Sequence, residues 1–364
     1  MRNFFTAPAL VDIALTNRCN LKCNYCSASS GESTLNNNEL TLHDYKTLFK
    51  DLDKMNVHRI SLSGGEPFVR SDFFEILKET QQYSFAKIIN TNGILITDSI
   101  SKELTKYNFD RICVTIDGST PQIHDSIRGN NSFKLALNGI QNLQKYNLPV
   151  STLFTLHPNN VNNLIDTIKL NESLGIEYMS VMVVCPTGRA SNGSSLLTKE
   201  QWYPVFLELS EMLKSNKIKL KFKIVPPNES SIFWLFYFPL KHYNRLDLLS
   251  VWNQSEEGSF TREISCQAGI KSCSITSNGD VYGCDLMIGI DEFKAGNILT
   301  SSLNDIWLNS PVFSKLRSIT FDSLNGKCKN CDNLWCGARC RSAAYNLTGS
   351  IYGSDESCFL HKEV

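Results

Sequence analysis

Between residue 11 and about residue 215 the chain alternates two patterns. Short runs rich in β-branched residues are followed by longer stretches whose apolar positions recur at helical spacing. The runs "VDIALT" (11–16), "HRISLS" (58–63), "AKIINT" (86–91), "RICVTI" (111–116), "PVSTLFT" (149–155) and "IEYMSVMVV" (176–184) have the length and composition of buried parallel strands. In "LTLHDYKTLFKDLDKMN", Leu42, Tyr45, Leu48, Phe49, Leu52 and Met55 share one helical face, and Thr41 with Asp44 reads as a capping box. Phe133, Leu137, Ile140 and Leu143 form a similar stripe. Six βα repeats with right-handed crossovers predict an α/β fold, a partial (β/α)6 TIM-like barrel. A doubly wound open sheet has the same periodicity.

Beyond about residue 220 the alternation stops. The segment 226–260 opens with Pro226-Pro227 and carries the aromatic cluster Phe233, Trp234, Phe236, Tyr237, Phe238 and Tyr243, which reads as linker packing or as a recognition surface. From residue 265 the chain is cysteine-rich, and Asn278-Gly279 in "SCSITSNGDVYGC" marks a hairpin turn. The expected organisation is a barrel over 1–220, a bridging region over 221–264 and a cysteine-rich domain over 265–364.

Composition narrows the function classes. The chain is 42% hydrophobic and 20% charged, enough to bury a sizeable core. Its net charge is zero and no basic run is interleaved with aromatics, so nucleic acid is not indicated. The opening "MRNFFTAPALVDIA" is broken by Asp12 and makes a poor signal peptide. No segment reaches the roughly 18–20 apolar residues that span a bilayer. A soluble cytoplasmic protein with no membrane partner is expected. For such a compartment 13 cysteines are many, and metal ligation rather than disulfide formation is the default reading.

The first cysteine group, Cys19-x3-Cys23-x2-Cys26, follows the first strand directly. Iron–sulfur clusters are held by closely spaced thiolates, and three of them leave one iron of a cubane cluster without a protein ligand. A zinc site would want a fourth ligand, which no nearby His supplies. With Tyr25 just before Cys26, the spacing resembles the radical S-adenosylmethionine (SAM) signature. The resemblance runs from residue 11 to about 190. It implies that SAM chelates the open iron and is reductively cleaved to a 5′-deoxyadenosyl radical. "SLSGGEP" follows the second strand; Gly64 and Gly65 allow close backbone approach, and the resemblance makes Gly64, Gly65 and Glu66 the site of the methionine amino group. It places Asn92 of "INTNG" near the ribose. Thr115 and Asp117 of "VTIDG", two residues apart on one strand face, are further SAM contacts by resemblance. So is Arg128, whose planar fork suits a carboxylate.

The second group comprises Cys266, Cys273, Cys284, Cys328, Cys331, Cys336, Cys340 and Cys358. The run Cys328-x2-Cys331-x4-Cys336-x3-Cys340 by itself also fits a zinc ribbon. Taken with Cys266-x12-Gly279-x4-Cys284 and the final Cys358, it resembles the SPASM extension, with x4 where x5 is usual. That resemblance implies two auxiliary four-iron–four-sulfur clusters, three clusters in all. One would take Cys266, Cys273, Cys284 and Cys340, the other Cys328, Cys331, Cys336 and Cys358. Cys113 reads as core. By resemblance to related peptide epimerases, Cys185, at the end of the sixth strand, is a candidate hydrogen donor to a substrate radical. Resemblance to the sulfatase-maturating enzymes makes Asp285, beside Cys284, a candidate catalytic base.

The leading expectation is an enzyme that installs a thioether or carbon–carbon crosslink in a ribosomally made peptide. A haem-synthesis-type enzyme on a small molecule, a peptide epimerase and a sulfatase-type protein maturase are the alternatives. A non-catalytic iron–sulfur or zinc protein is the reading from another class. The resemblance implies a flavodoxin- or ferredoxin-type electron donor. Because the first barrel strand begins near residue 11, leader-peptide recognition is expected from a separate protein or from the enzyme body.

Overall fold

The computed structural model describes residues 2–31, 38–191, 196–225, 233–252, 263–333 and 336–362. In chain order the strands are β1 (Leu10–Ala14), β2 (Arg59–Ser63), β3 (Ala86–Thr91), β4 (Arg111–Thr115), β5 (Val150–Leu156), β6 (Tyr178–Val183), β7 (Lys221–Val225), β8 (Ser272–Ile275), β9 (Asp280–Tyr282) and β10 (Gly296–Asn297). The helices are α1 (Leu42–Lys54), α2 (Phe73–Thr80), α3 (Asp98–Leu104), α4 (Pro121–Arg128), α5 (Ser132–Lys145), α6 (Leu164–Ser173), α7 (Lys199–Lys214), α8 (Phe238–His242), α9 (Leu303–Asn309), α10 (Pro311–Ser318) and α11 (Arg341–Thr348). No helix among the described residues is long and apolar enough to cross a membrane. Contacts divide the chain into two compact units: Met1–Thr115, Arg128–Ser151 and Gln267–Ser318 form one, and Ile116–Ile127, Thr152–Cys266 and Ile319–Val364 the other.

The first unit carries the strand order β10-β9-β8-β1-β2-β3-β4. From β8 to β4 the neighbours are parallel, while β8–β9 and β9–β10 are antiparallel. Along β1, Val11 and Ile13 are buried, and Asp12 lies on the other face in register with Ser61 and Ser274. The α1 capping box forms: the Asp44 N–H donates to Thr41 Oγ1 and the Thr41 N–H to Asp44 Oδ2 at 2.8 Å. Tyr45, Leu48, Phe49 and Leu52 of its apolar stripe are buried. The hairpin expected at Asn278-Gly279 joins β8 to β9, with Gly279 at φ 87°. Near the chain start, the buried Arg317 guanidinium lies 3.7 Å from the centre of the Phe4 ring and donates to the Gly269 and Trp307 carbonyls.

The second unit holds the parallel set β5-β6-β7. The strand β7 lies in the segment read from the sequence as a bridge. "KIKLKFKIV" alternates lysine with apolar residues over residues 217–225, the period-2 signal of a half-exposed strand. Part of the aromatic cluster is packing: Phe236 is buried and stacks on Phe206 at 5.2 Å and on Trp252 at 5.0 Å, while Trp202 Nε1 donates to the Leu235 carbonyl at 2.8 Å. The side chains of Phe233 and Trp234 lie outside the described residues.

Candidate active site

The loop leaving β1 carries Cys19, Cys23 and Cys26. It closes on itself locally, the Cys26 N–H donating to the Cys23 carbonyl at 3.3 Å and the Leu21 N–H to Cys19 Sγ at 3.4 Å. The "GGE" turn after β2 seats this loop. The Gly65 N–H donates to the Thr16 carbonyl at 2.7 Å and the Glu66 N–H to the Arg18 carbonyl at 2.9 Å. A Cβ on Gly65 would lie 2.1 Å from the Arg18 oxygen, and one on Gly64, at φ 131°, 2.4 Å from the Thr16 oxygen. Only glycine leaves room for this approach. The glycines are therefore required by the cysteine loop itself, a demand the sequence reading did not include.

Burial pushes the Cys19 thiol up to about 11, with smaller contributions from Glu66, Cys23 and Cys26. The three thiols thus lie within electrostatic reach of one another, with Cys23 buried and Cys19 and Cys26 partly exposed. Binding iron would displace their protons, and an all-thiol set with an exposed rim fits a cubane cluster with one accessible corner. No three or more His, Cys, Asp or Glu side chains among the described residues stand close enough to hold a single metal ion.

Around this loop, strand ends deliver polar groups. Glu66 is fully buried, and burial raises its carboxyl above the usual range. It accepts from Thr91 Oγ1 at 2.7 Å, the Asn92 N–H at 2.8 Å and the Phe68 N–H at 3.3 Å. Asn92 Nδ2 donates to Asn20 Oδ1 at 2.7 Å, tying the end of β3 to the cysteine loop. Arg128 Nη1 donates to Tyr25 Oη at 2.6 Å, and its charge reaches Glu66. Thr115 Oγ1 is 3.5 Å from the Thr91 carbonyl. The first unit therefore assembles Tyr25, Gly64, Gly65, Glu66, Asn92, Thr115 and Arg128 beside the three thiols. Asn20 is a member that sequence reading missed, although its place between Cys19 and Cys23 was a usable signal. In the second unit Asp117 is fully buried and accepts the Thr155 N–H at 2.7 Å, while its own N–H donates to His124 Nδ1 at 3.1 Å. His157, at the end of β5, is buried within reach of the Asp117 charge, and burial depresses its pKa.

A second polar group of the first unit centres on Asp285, which follows Cys284. Burial, then the charge of Asp12, pushes the Asp285 carboxyl up to about 6. Asp12 is itself raised by burial, opposed by a Ser61 hydrogen bond and the Arg59 charge. Cys273 is also raised, by burial and then by Asp12. Asp12, in the middle of an otherwise apolar strand run, was the sequence signal for this group and was passed over. Cys113 is buried and accepts from Ser151 Oγ at 3.3 Å, as packing requires.

In the second unit, Cys336 is pushed up to about 11 by burial and by the nearby Cys358, Cys328 and Cys331. Cys336 thus lies within electrostatic reach of the other three thiols. The Cys328 N–H donates to Ser354 Oγ at 2.9 Å. Cys340 caps α11, accepting the Ala343 N–H at 3.4 Å, and makes a side-chain hydrogen bond with Cys185. Both cysteines line a small cavity of about 20 Å³ with Arg339 and Asp355. Cys185 thus lies against a cysteine of the SPASM pattern. Cys266 belongs to this unit, and Cys273 and Cys284 to the first.

The sequence model of the Radical SAM superfamily matches residues 13–170, and that of an iron–sulfur cluster-binding domain, SPASM, matches residues 266–332. The chain is 30% identical to an AdoMet-dependent heme synthase of Methanosarcina barkeri over 97% of its own length and 96% of the relative's. It is 27% identical to the mycofactocin maturase MftC of Mycobacterium ulcerans, covering 97% and 88%. Among solved structures, Streptococcus suis SuiB bound to its precursor peptide SuiA superposes with a TM-score of 0.77 at 18% identity, covering 98% of this chain and 76% of that one. The structure of anSMEcpe with bound AdoMet gives 0.70 at 19%, covering 98% and 96%. The fold is the TIM-like partial barrel with a C-terminal SPASM domain.

Proposed function

From the premise that this chain belongs to the radical SAM superfamily and carries a SPASM domain, we propose that it is a peptide-modifying enzyme. It binds SAM and iron–sulfur clusters, three by our reading, and installs a crosslink in a ribosomally made peptide. The observation that carries the radical chemistry is the convergence of Cys19, Cys23 and Cys26 with Glu66, Asn92 and Arg128. The peptide class is supported by the mycofactocin maturases, matched over nearly the whole chain. When bound, the open cluster and SAM supply a 5′-deoxyadenosyl radical that takes hydrogen from the substrate.

The chain's own residues prepare for this. Glu66 lies buried among hydrogen-bond donors, so its carboxylate is fixed in direction. Arg128, held by Tyr25, supplies a fixed cation for a carboxylate. Asp285, protonated to a larger extent than an ordinary carboxyl, is a base whose pKa lies nearer the working pH. Cys185, at the end of β6, stands against Cys340 and joins Asp285 as a candidate for the later steps. The auxiliary thiols fall into the sets Cys266, Cys273, Cys284 and Cys340, and Cys328, Cys331, Cys336 and Cys358. Electrons come from a flavodoxin- or ferredoxin-type donor, and the leader of the peptide is held by a separate protein or by the enzyme body.

The heme synthase relatives, one at 30% identity, favour a second reading in which the substrate is an iron tetrapyrrole. Anaerobically reconstituted enzyme is incubated with SAM, strong reductant and either peptides encoded beside its gene or an iron tetrapyrrole. Formation of 5′-deoxyadenosine with loss of hydrogen from a peptide, read by mass spectrometry, is expected. Turnover of the tetrapyrrole alone would replace the peptide reading, and absence of SAM cleavage in iron-loaded protein would remove the radical one.

A further inference from the structure

Between Cys336 and Cys340 the chain runs "GAR", and Gly337, Ala338 and Arg339 are all left-handed, at φ 54°, 58° and 55°. For Ala338 and Arg339 this backbone is unfavourable, because the Cβ crowds the carbonyl that follows it. It persists because neighbouring groups hold it. The buried Arg341 donates to the Ala338 carbonyl, and through Nη1 to the Ile351 and Gly353 carbonyls at 3.2 and 2.8 Å. The clamp turns the Arg339 side chain inward, where it is 5% exposed. There Nη2 donates at 2.8 Å to Oγ of Ser357, the residue before Cys358, Nε lies 3.4 Å from Asp355 Oδ2, and Cys358 and Cys336 lie within reach of the guanidinium charge. Asp355 is fixed in turn by the Ser357 N–H at 3.0 Å.

We propose that Arg339 is a positioning residue that raises the reduction potential of the cluster held by Cys328, Cys331, Cys336 and Cys358. The proposal rests on the reading of those four thiols as one cluster set. Each added electron makes the cluster and its thiolates more negative. A permanent cation buried beside the ligand sulfurs stabilises the reduced state more than the oxidised one, the more so where water is excluded. Arginine suits the role because it stays charged when buried. The effect is local. Arg339 addresses Cys358 and Cys336, whereas its chain neighbour Cys340, assigned to the other set, is engaged by Cys185.

The test uses full-length protein with Cys19, Cys23 and Cys26 changed to Ala, so that only the auxiliary clusters respond. In this background Arg339→Gln, Arg339→Lys and Arg339→Gly are compared by iron analysis and by potentiometric titration followed by electron paramagnetic resonance. The glycine variant removes the side chain while relieving the left-handed backbone, which guards against misfolding. About eight irons per chain are expected throughout, as two four-iron clusters require. One midpoint should move to more negative potential in the Gln and Gly variants and less in Lys, with the other unmoved. Unmoved midpoints, or both moving together, would overturn the proposal. Loss of about half the iron in Gln and Gly alike would make Arg339 a structural prop instead. If the parent background holds no pair of four-iron clusters, the reading of the thiol set fails and takes the proposal with it.

Discussion

At the scale of single residues, the thiols and the groups beside them were legible because their spacing is local. What spacing could not reveal is which neighbour each side chain meets. Asp12 looked like a flaw in an apolar run, yet its charge is the main charged contribution to the raised pKa of Asp285, some 270 residues away on the chain. Asp285 should matter to product formation more than to SAM cleavage. Asp285→Asn keeps the shape and removes the base, so 5′-deoxyadenosine yield should hold while modified product falls at least about tenfold. Equal product yield in single-turnover assays would take Asp285 out of the mechanism. Cys185 shows the same limit. Its place at a strand end made it a donor candidate, and its contact with Cys340 became visible only when α11 was placed.

At the scale of elements, periodicity located β1 to β6 to within a few residues, since burial on one or both faces writes itself into composition. β7 has no continuous apolar run; lysine alternates with apolar residues along it, so its signal is weaker than that of the buried strands. The start of α1 was readable from Thr41 and Asp44 alone, and both halves of the box form. Thr41→Ala should therefore cost about 1 kcal/mol, through loss of the cap to the Asp44 N–H. Urea unfolding under anaerobic conditions measures it, and a midpoint unchanged from the parent would show that the box contributes nothing. The cap is local, so the effect should be the same with and without SAM.

At the scale of the whole molecule, the first unit joins the start of the sequence to Gln267–Ser318 of the cysteine-rich region. β8, from the cysteine-rich region, pairs in parallel with β1, so Cys273 stands in register with Val11 and Ser274 with Asp12. Ending the chain after Ser265 would leave one edge of β1 with unpaired N–H and C=O groups. Such a truncated chain should aggregate on size-exclusion chromatography. A monomer with the parent's thermal midpoint would show that the barrel strands need no partner from the cysteine-rich region. By itself, the sequence determined the βα alternation, the thiol spacings and the order of the strand-end motifs, because each is written within a few turns of chain. Only the tertiary structure decided that Gly64 and Gly65 seat the cysteine loop, that β8 completes the sheet beside β1, and that Arg339 turns onto Cys358. Those are contacts between distant or locally strained segments, and they form only when burial elsewhere holds them together.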